Sequence, residues 1–418
     1  MVKDILVETR PEQTRVAILE DGELAELFIE TPEQEKRIGN IYRGKVERVL
    51  PGMQCAFIDI GLDRNAFLYA GDILVNKLSD HEASFHINND LPDKIDRLVK
   101  QGQEITVQVS KEAIESKGPR VTTNISLPGR NTVLLPYTPG IGISKKITDP
   151  DERDRLKNIA KRFCPEDIGL IIRTAAEGLE SSELQEDILQ LLKMWDKIRQ
   201  EENKGKVPRC IYKEPDLVQR LARDLLNTGI HRFIVNERND YEKLLDYLND
   251  LAPEMKGKVE YFYRDYDLFA YYHVETAIQK ALSRKVWLKC GGYLIFDHTE
   301  ALTVIDINTG KFTGKNDQEE TILKTNIEAA HTIANQIRLR NISGIILIDF
   351  IDMKENTHKE QVICCLKEAV KRDRTKVNVL GMTRLGLVEM TRKKVRNTLE
   401  QTLTLPCPVC NGTGRVNT

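Results

Sequence analysis

Short runs of alternating apolar and polar positions dominate the first third of the chain. The runs RVAILE and LAELFIE, within residues 3–30, flank the dipeptide Asp21-Gly22. An Asp-Gly pair between two alternating runs is a hairpin signal. More short strands, punctuated by glycine and proline, follow in residues 38–72, 105–113 and 120–127. Several short strands at close spacing predict a small β-barrel.

A helical period appears after the apolar run at residues 169–178, which predicts a buried strand. Ser182 and Gln185 have the spacing of a capping box and indicate the start of a helix. Apolar residues then recur every three or four positions, as on one face of a helix, at Leu184, Ile188, Leu191, Trp195 and Ile198.

From residue 216 onward, predicted strands and helices alternate, which is typical of an α/β organisation. Helices are predicted at about 319–340 and 357–373. The first has a continuous apolar face, made of Leu323, Ile327, Ala330, Ala334 and Ile337. The strand GIILIDFID between these helices is so apolar that it predicts a central strand covered on both faces.

Composition narrows the class of protein. With 418 residues, 40% hydrophobic and 30% charged, the chain should form two to four soluble globular domains. The sequence contains no apolar run long enough to predict a membrane span or a secretory signal, so a cytoplasmic protein is expected. The net charge of -2 does not indicate nucleic-acid binding, although basic residues cluster at 145–162 and 371–396. Each cluster is either a binding surface or a solvated helix face.

Eight cysteines are present, and only Cys407 and Cys410 have the spacing of metal ligands. The others read as reduced thiols. A structural zinc needs four ligands, and this C-x₂-C loop offers two. A second copy of the loop from another protomer would complete the site and link two subunits. The alternative is a redox dithiol, although no thioredoxin-like βαβ context surrounds it.

Two apolar strands end in carboxylates, at Asp306 and Asp349, and Asn308 follows two residues after the first. The mouth of a strand is where α/β sheets place their chemistry. Two carboxylates and an amide oxygen suit Mg²⁺ or Mn²⁺, which could act on a phosphodiester. Alternatively, these carboxylates cap helices or form ion pairs, and Asp352 and Glu300 compete for the ligand role.

Several segments, in this order along the chain, closely resemble the ribonuclease E/G family. They are GNIYRGKVERVLPGMQCAFIDIG, KGPRVTTNISLPGR, GLIIRTA, TEALTVIDINTGKFTG, TNIEAAHTIANQIRLRNISGIILIDFIDM, TRLGLVEMTRKK and CPVCNGTG. The resemblance covers nearly the whole chain. It implies a multidomain architecture of α/β and all-β parts. The implied parts are an RNase-H-like domain (1–36 and 216–281), an OB-fold RNA-binding domain (37–120), a 5′-sensor region (121–215), a deoxyribonuclease-I-like catalytic domain (282–403) and a zinc-link (404–418).

The resemblance also implies roles for individual residues. Asp306 and Asp349 would hold the catalytic Mg²⁺, and Asn308 would position the attacking water. RNA contacts are implied for Phe57, Phe67 and Lys117. A pocket for a 5′-monophosphate is implied for Arg173, Thr174, Gly129 and Val133. One structural Zn²⁺ would be shared between two subunits through Cys407 and Cys410.

The implied function is that of a Mg²⁺-dependent endoribonuclease specific for single-stranded RNA. It would leave 5′-phosphate products, respond to a 5′-monophosphate, and act in rRNA and tRNA processing and mRNA decay. The implied assembly is a homodimer or a dimer of dimers. The chain ends without a scaffold for degradosome partners, which favours the ribonuclease-G-like branch. A non-catalytic RNA-binding protein is the alternative reading.

Overall fold

The computed structural model describes residues 2–31, 37–73, 94–112, 118–225, 229–310, 318–405 and 407–410. Its strands are β1 (Lys3–Arg10), β2 (Gln13–Glu20), β3 (Glu23–Glu30), β4 (Ile41–Leu50), β5 (Cys55–Asp59), β6 (Ala66–Tyr69), β7 (Glu104–Lys111), β8 (Arg120–Thr122), β9 (Leu127–Pro128), β10 (Thr132–Leu135), β11 (Gly140–Ile143), β12 (Gly169–Ile172), β13 (Arg209–Tyr212), β14 (Ile230–Val235), β15 (Val259–Tyr261), β16 (Lys285–Trp287), β17 (Tyr293–His298), β18 (Leu302–Asn308), β19 (Gly344–Asp349), β20 (Val377–Met382) and β21 (Val388–Arg392). Its helices are α1 (Ile95–Leu98), α2 (Pro150–Phe163), α3 (Ser181–Glu202), α4 (Leu217–Leu225), α5 (Arg238–Leu251), α6 (Leu268–Tyr271), α7 (Val274–Leu282), α8 (Gln318–Leu339), α9 (Asn356–Val370) and α10 (Leu399–Leu403).

The chain divides into two compact units. One comprises residues 1–32, 226–245 and 254–418, and the other comprises residues 33–225 and 246–253. The finer division into five parts stays a prediction. Within the described residues, none of the helices combines the length and apolar character that crossing a membrane requires.

The first unit contains a five-stranded sheet in the order β15-β14-β1-β2-β3. The predicted hairpin is confirmed, because β2 and β3 pair through Glu20 and Glu23 around the Asp-Gly turn. Asp21 and Gly22 both have positive φ, at 50° and 81°. This backbone conformation is one that a tight hairpin turn requires and that glycine adopts without strain.

The second sheet of this unit has the order β16-β17-β18-β19-β21-β20, and only β18 and β19 run parallel. The crossover between them is α8, which packs with α9 against one face of the sheet. The predicted apolar face of α8 is confirmed, since Ala330 and Ile337 are buried in this core and Leu323 packs against it.

The expectation that the strand GIILID is covered on both faces is wrong. Ile346 and Ile348 are fully buried under the helices, whereas Ile345, on the opposite face, is 49% exposed. A sheet with antiparallel neighbours can be stable with a single covered face. This sheet therefore has one face that the described residues leave open.

The other unit contains a closed five-stranded barrel, as the strand spacing predicted. Its strands run in the order β4-β5-β6-β8-β7, and an additional pairing of β4 with β7 closes it. Side chains alternate along β5 and β6, so Ala56, Ile58 and Leu68 are fully buried in the barrel core. The intervening residues point outward.

A four-stranded sheet, β11-β12-β10-β9, packs against α2 and α3 in the same unit. The predicted apolar face of α3 is confirmed, and all five of its residues are buried. The predicted capping box at Ser182 and Gln185 is wrong. The helix begins at Ser181, and the backbone N–H of Glu180 donates to the Glu183 carboxylate at 3.2 Å. Two glutamates, Glu180 and Glu183, form the capping box instead, so the prediction based on serine and glutamine placed the helix start incorrectly.

Candidate active site

Asp306 and Asp349 lie side by side on the parallel strands β18 and β19, directly opposite each other in the register. Both are exposed, whereas their neighbours Ile305, Ile307 and Ile348 are buried under α8 and α9. Strand alternation explains this, because successive side chains point to opposite faces. Parallel pairing then brings the two carboxyl ends to the same edge of the sheet.

Asn308 completes the predicted trio. Its Nδ2 donates a 2.7 Å hydrogen bond to Oδ2 of Asp306, on the same face of β18. A cleft of about 300 Å³ opens here, lined by Asp306, Ile307, Asn308, Thr309, Asp349, Phe350, Ile351 and Asp352. Of the two competing acidic residues, Asp352 lines the cleft, while Glu300 precedes β18 at the opposite end of that strand.

The electrostatics of the cleft are those of a cation site. Partial burial raises the pKa of Asp349, and the negative charges of Asp306 and Asp352 raise it further. None of the described residues that line the cleft is basic. Carboxylate and amide oxygens with room for water are the donors that Mg²⁺ prefers. The donor set therefore fits a hard divalent cation.

A second acidic cluster does not compete for this role. Within the described part of the chain, the one group of three ligand atoms within 4.8 Å of one another belongs to Glu8, Asp267 and Glu275. Arg15 pairs with Glu275 at 2.6 Å and with Glu8, and Arg10 pairs with Glu8 at 3.1 Å and with Asp267. The guanidinium groups already neutralise these carboxylates, so the cluster is an ion-pair network.

Asn326, which was not predicted from the sequence, supports the loop beside the cleft. It is fully buried on α8, and its Nδ2 donates to the carbonyl of Ile351 at 2.8 Å. Its Oδ1 accepts from the Ile351 N–H at 3.1 Å. The loop after Asp349 is thereby fixed to the helix. A buried asparagine on an apolar helix face was the signal that could have revealed it.

The barrel residues Phe57 and Phe67 form a cross-strand pair on the outer face. Their ring centroids are 6.2 Å apart, with an angle of 72° between the rings. Both are half-buried. Arg48 lies opposite Phe57 in the register, and Arg120 lies opposite Phe67. The face therefore combines aromatic rings with cations. The third predicted contact, Lys117, lies outside the described residues.

The predicted 5′-sensor residues come together beside β10 and β12. The Nη1 of Arg173 donates to the carbonyl of Gly129 and to Oδ1 of Asp224, both at 2.8 Å. The exposed Thr174 hydroxyl lies 2.9 Å from the Ser144 hydroxyl. Val133 is half-buried on β10, which pairs with β12 just before Arg173.

Asp187, which the sequence reasoning did not single out, supports the loop at Gly129. Its buried carboxylate accepts from the N–H groups of Arg130 and Asn131 and from the Thr132 hydroxyl, at 3.0, 3.2 and 2.6 Å. A Cβ at position 129 would lie 2.8 Å from Oδ1 of Asp187. Only glycine fits this close approach.

The C-x₂-C loop follows α10, with Cys407 exposed and Cys410 half-buried. Backbone N–H groups of Cys410 and Val409 donate to the Cys407 sulfur and lower the pKa of its thiol. A thiolate is the metal-binding form of cysteine. Among the described residues, no group of three His, Cys, Asp or Glu ligands includes this pair.

Comparison with known proteins gives consistent matches. The sequence profile of the ribonuclease E/G family matches residues 126–395. Ribonuclease G of Escherichia coli (strain K12) is 44% identical over 421 residues, spanning 100% of this chain and 85% of that protein. Ribonuclease G of Haemophilus influenzae is 44% identical over 418 residues, spanning 99% of this chain and 84% of the relative. Ribonuclease E of Nostoc sp. is 37% identical over 419 residues, spanning 99% of this chain and 59% of the relative.

Proposed function

Because the chain belongs to the ribonuclease E/G family and is an endoribonuclease, we propose that it cuts single-stranded RNA internally with Mg²⁺ held by Asp306 and Asp349. The product downstream of the cut would carry a 5′-phosphate. The observation that carries this proposal is the parallel pairing of the two aspartates at the edge of an open cleft.

Each residue at the cleft would have a separate role in cleavage. Asp306 and Asp349 would hold Mg²⁺, and the bound ion would supply Lewis-acid stabilisation of the charge on the phosphodiester. The Asn308 amide, oriented by its hydrogen bond to Asp306, would position the attacking water. Asn326 would hold the loop beside Asp349 so that the carboxylate keeps its place.

The barrel would select single-stranded RNA. Unpaired bases would stack on the outward rings of Phe57 and Phe67, which contributes about 1–3 kcal/mol per base in comparable sites. Arg48, exposed beside Phe57, would pair with the phosphates. Lys117 would add a further positive charge. Bases in a duplex are already stacked, so this face discriminates against double strands.

A 5′-monophosphate would bind at Arg173 and Thr174 and stimulate cleavage. With the described residues, both side-chain hydrogen bonds of Arg173 use Nη1, so we assign its Nη2 and Nε as the donors to the phosphate. Those contacts fix the plane of the guanidinium, which favours paired hydrogen bonds to phosphate oxygens. Thr174 would add its exposed hydroxyl, while Gly129 and Val133 would form the pocket wall.

Cys407 and Cys410 would supply half of a tetrahedral zinc site, and a second subunit would supply the other half. The assembly would be a homodimer or a dimer of dimers. The family relationship supports a role in RNA processing. We assign rRNA and tRNA precursors and mRNA as the substrates. The cytoplasmic location expected from the sequence stays a prediction.

Cleavage of a 5′-monophosphorylated oligoribonucleotide tests the proposal. Wild-type protein should cut it with Mg²⁺ and not with EDTA. Asp306→Asn should lose at least about 100-fold in rate, because a metal ion supplies several kcal/mol to such reactions. Glu300→Gln, an acidic residue at the other end of β18, is the matched control and should cut normally. Normal cleavage by Asp306→Asn, or by the wild type in EDTA, would show the mechanism to be wrong.

A further inference from the structure

A cationic and aromatic cluster occupies the open face of the sheet that carries the acid pair. Lys285, Trp287 and Tyr293, on β16 and β17, form it, and we call it the aromatic platform. The two rings lie 5.4 Å apart at 65°. The Nζ of Lys285 lies 4.0 Å from the centroid of Trp287 and 3.6 Å from that of Tyr293. The indole is 61% exposed.

The strand register links the platform to the candidate active site. Trp287 pairs with Tyr293, and Tyr293 pairs with Asn308, so these three residues form one row across three strands. Paired residues in neighbouring strands point to the same face. Two strand spacings of about 4.8 Å place Trp287 about 10 Å from Asn308.

The next row leads to the metal ligands themselves. Lys285 pairs with Ile295, and Ile295 pairs with Asp306, which lies opposite Asp349. The platform and the acid pair therefore lie on the same open face, with Ile295 of β17 between Lys285 and Asp306. An RNA strand bound at the acid pair can reach the platform with a nucleotide close to the scissile bond.

Packing of the core does not explain the platform. The residues of β17 that belong to the core are Leu294 and Phe296, which point to the other face, toward α8 and α9. Trp287 lies on the edge strand and keeps most of its surface in water. Trp287 and Tyr293 together form an exposed aromatic patch, and such patches mark ligand-binding surfaces.

We propose that the aromatic platform is a nucleobase-stacking subsite for the RNA substrate. An unpaired base stacks on Trp287, and the Lys285 ammonium interacts with the phosphate of the same or the adjacent nucleotide. The inference rests on the proposed function, since it takes the acid pair as the cleavage site. Stacking tolerates any base, so the subsite positions the strand without reading its sequence.

Fluorescence tests the subsite without requiring cleavage. The chain has two tryptophans, and Trp195 is only 3% exposed. In EDTA, a single-stranded oligoribonucleotide should quench the wild-type emission by stacking on Trp287. Trp287→Ala, which keeps Trp195, should show no such quenching. Quenching that persists in Trp287→Ala would overturn the inference. So would wild-type emission that stays unquenched while RNA is bound.

Affinity gives a second measurement with matched controls. Trp287→Ala should weaken RNA binding about 5- to 100-fold, as loss of one stacked base does elsewhere. Trp287→Phe should restore most of the binding. Tyr263→Ala removes another aromatic side chain, 81% exposed, and should bind normally. Wild-type affinity in Trp287→Ala would contradict the proposal.

The outcomes separate the two proposals. Quenching and weakened binding without any Mg²⁺-dependent cleavage would support the subsite and refute the proposed function. Mg²⁺-dependent cleavage by the wild type, together with unaltered RNA binding in Trp287→Ala, would support the proposed function and refute the subsite. Size-exclusion chromatography of the wild type and of Trp287→Ala shows whether Trp287 instead contributes to a contact between subunits. If the weakened binding is accompanied by conversion of dimer to monomer, Trp287 is part of an interface and the inference fails.

Discussion

The side chain of Asn326 forms two hydrogen bonds with the backbone of Ile351, donating to its carbonyl at 2.8 Å and accepting from its N–H at 3.1 Å. Both groups of the amide are thereby satisfied inside the core. The loop that these bonds hold follows directly after Asp349. A residue that does not line the cleft thus determines where one wall of the cleft lies.

Replacing Asn326 should reduce activity through this loop. Asn326→Ala leaves the Ile351 groups unpaired, which should cost about 1–3 kcal/mol of stability. We expect kcat to fall about 10- to 100-fold, as for residues that support a metal ligand. Urea unfolding and kcat, corrected for the folded fraction, measure the two effects.

Asn341→Ala is the matched control for that experiment. Asn341 is also buried, and it donates to the carbonyls of Arg396 and Asn397 at 3.0 and 2.8 Å. Asn341 also accepts from buried Arg392 Nη1 at 2.8 Å and has a φ of 50°, so its replacement by alanine should destabilise the protein at least as much as Asn326→Ala. It should leave kcat per folded molecule unchanged. Equal losses of kcat in both variants would mean that Asn326 acts only on stability.

Phe57→Ala should raise the KM for single-stranded RNA about 5- to 100-fold, because one stacking surface is lost. Phe57→Leu keeps apolar volume beside Phe67 but lacks the aromatic face, so it should behave like the alanine variant. Phe57→Trp should retain a low KM. Steady-state kinetics with an oligonucleotide of fixed sequence measures all three. A leucine variant with wild-type KM would show that the ring packs rather than stacks.

Arg173→Lys should remove the preference for a 5′-monophosphate. Lysine keeps the charge but loses the planar fork and its contacts to Gly129 and Asp224. Loss of charge-assisted hydrogen bonds predicts a decrease of about tenfold or more in kcat/KM for the 5′-phosphorylated substrate. The same substrate with a 5′-hydroxyl is the internal control and should be cut at an unchanged rate. A parallel decrease on both substrates would argue against a sensor role.

Native mass spectrometry tests the zinc link. Wild-type protein should appear as a dimer with one zinc for two chains, and Cys407→Ser should appear as a monomer without zinc. Cys364→Ser, which removes another exposed cysteine on α9, should remain a zinc-bound dimer. A metal-free dimer of Cys407→Ser would refute the shared site.

Local patterns were sufficient for much of the fold. The turn at Asp21-Gly22 and the apolar faces of α3 and α8 are fixed by short-range chemistry, and each lies where the sequence predicted. The start of α3 was misplaced because Ser182 is a stronger capping type than Glu180. Local preference is a weak guide when several polar residues precede a helix.

The geometry of the candidate site was less predictable from the sequence than the identity of its carboxylates. Both aspartates were recognisable at strand ends, but their parallel register comes from long-range pairing of β18 with β19. Asn326 was hidden because its role depends on a loop distant in sequence. The open face was missed for a similar reason, since the apolar run containing Ile345 resembles a strand buried on both sides.

The parallel pairing of β18 and β19 also has a consequence for biosynthesis. Two parallel neighbours need a crossover, and here the crossover is α8, which is made after Asp306 and before Asp349. A ribosome must therefore extrude the whole helix and β19 before the two carboxylates can meet. The growing chain carries no assembled acid pair while β19 is still inside the ribosome, so the order of synthesis keeps the proposed metal site incomplete until β19 has emerged.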